Sequence, residues 1–124
     1  MQILRLRAAV VLFFLWSFLV LPGVSQGHAF PDHSDPKVGS TVSGSPADVR
    51  IWFDGDLEPV FSTIAVQDSG GKRVDKGNGR VNPSTPALLE VSLPRLPAGT
   101  YRVIWNVVAR DGHRTTGDYT FAIK

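Results

Sequence analysis

The sequence predicts an all-β domain, an immunoglobulin-like Greek-key β-sandwich or barrel of about seven strands. Three observations carry this prediction. Short runs alternate apolar and polar residues with period two, as in Val49-Arg50-Ile51-Trp52-Phe53. Clusters of Gly, Pro, Asn and Asp separate the runs. Past residue 27, no ten-residue segment carries a helical period.

Taken in order, Pro36-Lys37-Val38-Gly39 reads as a turn. Val49, Ile51 and Phe53 then share one face of a strand. Phe61 to Gln67 reads as a second strand, with Ile64 and Val66 on a common face. Asp68-Ser69-Gly70-Gly71-Lys72 is a turn, Val74 opens a weaker strand, and Lys76-Gly77-Asn78-Gly79 is a loop. Val81 to Pro86 is polar and proline-containing, hence loop or edge. Leu89, Val91 and Leu93 alternate with Leu88, Glu90 and Ser92. The strongest strand is Gly99 to Val108: Tyr101, Val103, Trp105 and Val107 line one face, with Ile104 and Val108 on the other. Apolar residues on both faces imply a central strand or a rim that meets a partner. Asp118 to Ile123 closes the domain with Tyr119, Phe121 and Ile123 inward.

Residues 1–27 read as a secretory signal, leaving 28–124 as the mature domain. Arg5 and Arg7 precede an apolar run from Ala8 to Leu21, and Pro22-Gly23 break it. The run is short against the roughly 20 residues of a membrane span. Ser25 and Gly27 form the small pair for a cut before His28; Gly23 and Ser25 form one for a cut before Gln26. After residue 27 the eleven remaining Lys and Arg balance eleven Asp and Glu. That balance gives no basic stripe for nucleic acid. No second apolar run is long enough to insert the mature chain in a membrane. With no cysteine, disulfides, thiolate metal sites and a thiol nucleophile are excluded.

Three histidines are the chemical candidates. A cut after Gly27 makes His28 the first residue, so its α-amine and imidazole Nδ1 can close a chelate ring on one metal ion. His113, in Asp111-Gly112-His113, shares a turn with a carboxylate two residues away. Such a turn is also common without any role. His33, in Asp32-His33-Ser34-Asp35, reads as a solvated loop residue.

Several stretches together resemble the CopC family of exported copper-binding proteins. They are His28-Ala29, Ser34-Asp35-Pro36-Lys37-Val38-Gly39, Pro46-Ala47-Asp48-Val49-Arg50-Ile51-Trp52-Phe53 and Glu58-Pro59-Val60-Phe61-Ser62. The most specific are Ala98-Gly99-Thr100-Tyr101-Arg102-Val103-Ile104-Trp105, then Asp111-Gly112-His113, Gly117 and Phe121. The resemblance implies one Cu(II) ion bound by the amine and imidazole of His28, with Asp111 and His113 completing the site. Nitrogen-rich sites with a carboxylate suit tetragonal Cu(II). Such ligands must shed protons to bind, so affinity falls as pH drops through roughly 8 to 6.

Two departures from the family pattern stand out. Some relatives carry an acidic residue where this chain has Gly55, between Asp54 and Asp56. Neither aspartate is assigned as a ligand. Some relatives hold Cu(I) on a methionine-rich loop, whereas this chain has no methionine beyond Met1. No Cu(I) site of that kind is expected.

The reading is therefore of an exported, non-enzymatic Cu(II) carrier or buffer, periplasmic or extracellular. The resemblance implies a CopD-like membrane protein as its partner. Two alternatives stand beside it. One is a histidine-brace copper oxidase acting on polysaccharide, which needs an open copper position that a fourth ligand, Asp111, closes. The other is a metal-free immunoglobulin-like module with Trp52 on its contact surface. Cleavage after Ser25 instead makes Gln26-Gly27-His28 a local Cu(II) chelate, independent of Asp111 and His113.

Overall fold

A computed structural model of the chain describes residues 28–124. The expected signal, both candidate cleavage points and the Gln26-Gly27-His28 chelate's first two residues lie outside the described residues. Among those described, no helix is long and apolar enough to cross a membrane. Eight strands form: β1 (Pro31–Asp35), β2 (Thr41–Val42), β3 (Asp48–Phe53), β4 (Thr63–Gln67), β5 (Arg80–Val81), β6 (Leu88–Ser92), β7 (Gly99–Val108) and β8 (Arg114–Ile123). They make two four-stranded sheets, ordered β1-β3-β6-β5 and β2-β8-β7-β4. The result is a sandwich of two separate sheets rather than a closed barrel. The chain changes sheet at every connection except β5 to β6 and β7 to β8.

The alternating pattern sets which side chains face inward. Val49, Ile51 and Phe53 of β3 meet Leu89 and Val91 of β6 on one inner face. Ile64 and Val66 of β4 join Tyr101, Val103, Trp105 and Val107 of β7, and Tyr119, Phe121 and Ile123 of β8, on the other. Each large apolar side chain withdrawn from water contributes about 1.5–3 kcal/mol. Within the core, Phe53 meets Trp105 edge-on at 5.2 Å, linking the two sheets.

Several elements depart from the sequence expectation, each for a local reason. Pro31–Asp35, including His33, is a strand and not a loop: its polar residues pair with β3 at the sheet edge, where no apolar alternation is needed. His33 stacks on Trp52 with ring centroids 4.5 Å apart, so Trp52 is half-buried instead of presenting a free contact face. The strand expected from Phe61 starts at Thr63, because Pro59–Phe61 winds into a 3₁₀ turn. Val74 founds no strand, although its N–H donates to the Val66 carbonyl at 2.8 Å. β8 begins at Arg114, four residues before the expected start, and runs past Gly117 without interruption.

β7 and β8 pair over their full ten residues, from Gly99↔Ile123 to Val108↔Arg114. β7 is central, with β4 on its other side. This long ladder places its connecting turn, residues 109–113, at one end of the sandwich. The segment after β3 reaches the same end, where Leu57 bridges Ala109 and the Arg110 N–H donates to the Asp56 carbonyl at 3.3 Å.

Candidate metal centre

The turn between β7 and β8 shapes the Asp111-Gly112-His113 motif. The Ala109 N–H donates to the His113 carbonyl, and the Gly112 N–H to the Ala109 carbonyl, both at 2.9 Å. Gly112 has φ of 91°, a backbone conformation that side chains disfavour, which explains a glycine between the two polar residues.

Asp111 grips its neighbour twice. Its Oδ1 accepts from the His113 N–H at 3.0 Å, and its Oδ2 meets His113 Nδ1 at 2.6 Å. The backbone N–H of His113 is the main reason the Asp111 carboxyl sits below the usual carboxylate range. The His113 ring reinforces this, partial desolvation opposes it, and His28 adds a smaller pull downward. An ionised Asp111 requires the proton on His113 Nδ1. In the neutral ring with that tautomer, Nε2 carries the lone pair available to a metal ion. The His113 side chain is 54% exposed, so an ion can reach it.

His28 approaches from the other end of the chain. Its ring meets the His113 ring edge to face, with centroids 4.4 Å apart. A short arm holds it there. Ala29 is fully buried in the core, and its carbonyl accepts from Thr115 Oγ1 at 2.7 Å. The next residue, Phe30, exchanges two bonds with Asp54: Phe30 N–H to Asp54 Oδ1 at 2.8 Å, and Asp54 N–H to the Phe30 carbonyl at 2.9 Å.

The structure therefore brings His28, Asp111 and His113 to one end of the sandwich, with the two imidazoles in contact. Asp111 faces His113 rather than His28. Among the described residues, no three His, Asp or Glu side chains converge at metal-holding distances. The two imidazoles, one carboxylate and a terminal amine that cleavage would create nevertheless form a donor set suited to Cu(II).

Asp54 is spent on the Phe30 amide, and the Asp56 carbonyl on Arg110. A Cβ placed on Gly55 would lie 3.8 Å from Ala29 Cβ and 3.9 Å from the His28 carbonyl. Position 55 thus abuts the His28 arm, but this chain offers no side chain there. His33 sits away from the centre on β1, its Nδ1 at 2.9 Å from Asp32 Oδ2. Sequence reasoning missed Thr115 and the Asp54–Phe30 pair, since nothing in local sequence signals a contact between residues so far apart.

Comparison with known proteins agrees with this architecture. The model of the CopC domain family matches residues 32–124, starting just after the His28 arm. The copper transport protein CutJ of Bacillus subtilis (strain 168) is 37% identical over 108 residues, which are 86% of this chain and 20% of that protein. This chain thus spans about a fifth of that relative's length. The crystal structure of CopC from Methylosinus trichosporium OB3b superposes with a TM-score of 0.70 at 34% identity, covering 78% of this chain and 94% of that one. PcoC, a methionine-rich copper resistance protein from Escherichia coli, superposes with a TM-score of 0.67 at 31% identity, covering 78% and 99%.

Proposed function

The chain belongs to the CopC domain family, and from that premise we propose that it is an exported copper-binding protein of copper homeostasis or resistance. The observation that carries the reading is the contact between the His28 and His113 rings at 4.4 Å. Nothing in core packing requires two exposed histidines so far apart in the sequence to meet there.

In this reading the leader is removed after Gly27, and the freed α-amine and His28 imidazole chelate one Cu(II) ion. His113 supplies a second imidazole. Asp111 completes the set by releasing the His113 ring and turning an oxygen toward the ion. The ion is cargo: the protein limits free copper and passes it to a membrane transporter of the CopD type. It carries out no catalytic turnover, because four protein donors fill the tetragonal plane.

The test is a Cu(II) titration of protein beginning at His28, read by competition with a chromophoric chelator and by EPR. One tight tetragonal site, weakened in both His28→Ala and His113→Ala, is the expected result. Equal binding by wild type and both variants, or no binding by wild type, sinks the proposal. Copper-dependent consumption of reductant and peroxide on a polysaccharide would replace the carrier with an oxidase.

A further inference from the structure

The donors of the proposed centre are exposed, so something else must hold His28 against His113. His28 belongs to no strand, and β1 begins only at Pro31. Its position is set by the two residues between. Ala29 is 0% exposed and lodges in the core. Its carbonyl is held from the β8 side by Thr115 Oγ1 at 2.7 Å. Phe30 is held from the β3 side by Asp54, whose Oδ1 accepts the Phe30 N–H at 2.8 Å. Phe30 itself is 52% exposed, so its ring contributes little anchoring. The arm therefore bridges the two sheets, clamped by one side chain from each side.

The two clamps are chemically specific. Thr115 is the second residue of β8, two positions past His113. The strand that directly follows one imidazole thus also holds the arm that carries the other. Asp54 directly follows β3 and spends its carboxylate on a backbone amide rather than on the ion's neighbourhood.

We propose that Thr115 and Asp54 are positioning residues for the copper centre, fixing the His28 arm so that its chelate meets His113. This rests on the carrier reading and adds to it the reason two distant histidines act as one site. A free terminal histidine can chelate copper alone, through its amine and imidazole. Recruiting the second imidazole depends on its local concentration near the first, and a loose arm dilutes it. Losing a clamp should therefore weaken binding and change coordination, while the local chelate persists.

The experiment uses protein beginning at His28 and four variants: Thr115→Val, Thr115→Ser, Asp54→Ala and Asp54→Asn. Ser keeps the hydroxyl donor, and Asn keeps an amide-accepting oxygen without the charge. Cu(II) affinity should fall about 5- to 30-fold in Thr115→Val and Asp54→Ala, the scale of one lost hydrogen bond. Their EPR spectra should shift toward fewer nitrogen donors. Thr115→Ser and Asp54→Asn should remain within about 3-fold of wild type.

A parallel measurement needs no copper. In the metal-free protein, NMR cross-relaxation between the His28 and His113 rings should be present in wild type. It should weaken in Thr115→Val and Asp54→Ala and return in the conservative variants. Wild-type affinity and spectra in both disruptive variants would overturn the inference while leaving the carrier reading intact. An Asp54→Asn loss equal to that of Asp54→Ala would also overturn it, since charge and not positioning would then be at work. If wild type binds no Cu(II), the carrier reading fails, and the ring contact alone decides whether the clamps position the arm.

Discussion

The indole of Trp105 on β7 lies directly over Gly117 on β8. A Cβ at Gly117 would sit within 2.8 Å of Trp105 Cε2 and closer still to Cζ2. The two residues are paired across the ladder, and the missing side chain is what lets the ring settle between the sheets against Phe53. Gly117→Ala should therefore displace the ring and destabilise the domain by about 1–3 kcal/mol, the cost of overpacking. Urea unfolding followed by tryptophan fluorescence measures this. Unchanged stability would show that the indole relaxes without strain.

Asp75 organises the bend after β4. Its side chain is 0% exposed, and it accepts from the Val66 N–H, the Gly77 N–H and Arg73 Nε at 2.8–3.1 Å. Burial pushes its pKa up, but the Arg73 side chain and the two backbone amides outweigh burial, and the net direction is down. A depressed carboxylate stabilises the fold above its unfolded pKa, and the contribution is lost as pH falls through the lower folded value. Asp75→Ala should cost about 2–4 kcal/mol at neutral pH by stranding donors. It should also flatten the fall in stability below pH ~4. Chemical denaturation from pH 7 down to pH 2 checks both, and an unaltered acid limb would refute the second.

Tyr119 should ionise late. Burial raises its hydroxyl to about 12, the Ser34 hydroxyl pulls the other way, and the Asp35 carboxylate adds to the rise. The hydroxyl donates to the Pro36 carbonyl at 3.0 Å. Because the folded pKa exceeds the unfolded value near 10, this contribution is complete below pH ~10 and disappears as pH rises through the folded value. Absorbance titration of the phenolate should show a late step, absent in Tyr119→Phe. A variant titration that superimposes on wild type counts against the assignment.

Blocking the amine of His28 should disable the copper centre without unfolding the domain. One extra residue before His28 converts the amine to an amide, removing a donor that metal binding needs unprotonated and free. Cu(II) affinity should drop by about 10-fold or more, with an unchanged melting temperature for the metal-free protein. Retained affinity after such an extension would argue that the amine is not a ligand.

Strands such as β3 and β7 were legible because each has one face in the core, and alternation records that directly. Asp111, Gly112 and His113 were legible for a related reason: they lie close together in the chain and share a turn. His33 looks like a loop residue in sequence because an edge strand can be polar throughout; its pairing depends on backbone groups, which every residue carries. Gly117 falls outside the strand expected from Asp118 because its purpose is a contact with Trp105 on the neighbouring strand. The chain by itself thus determined the all-β architecture, the inward-facing residues and the identity of the copper-donor candidates. Only the tertiary structure decided that His28 meets His113, and that Thr115 and Asp54 hold the arm between them. Those contacts depend on which strands lie side by side and in what register, which no local pattern encodes.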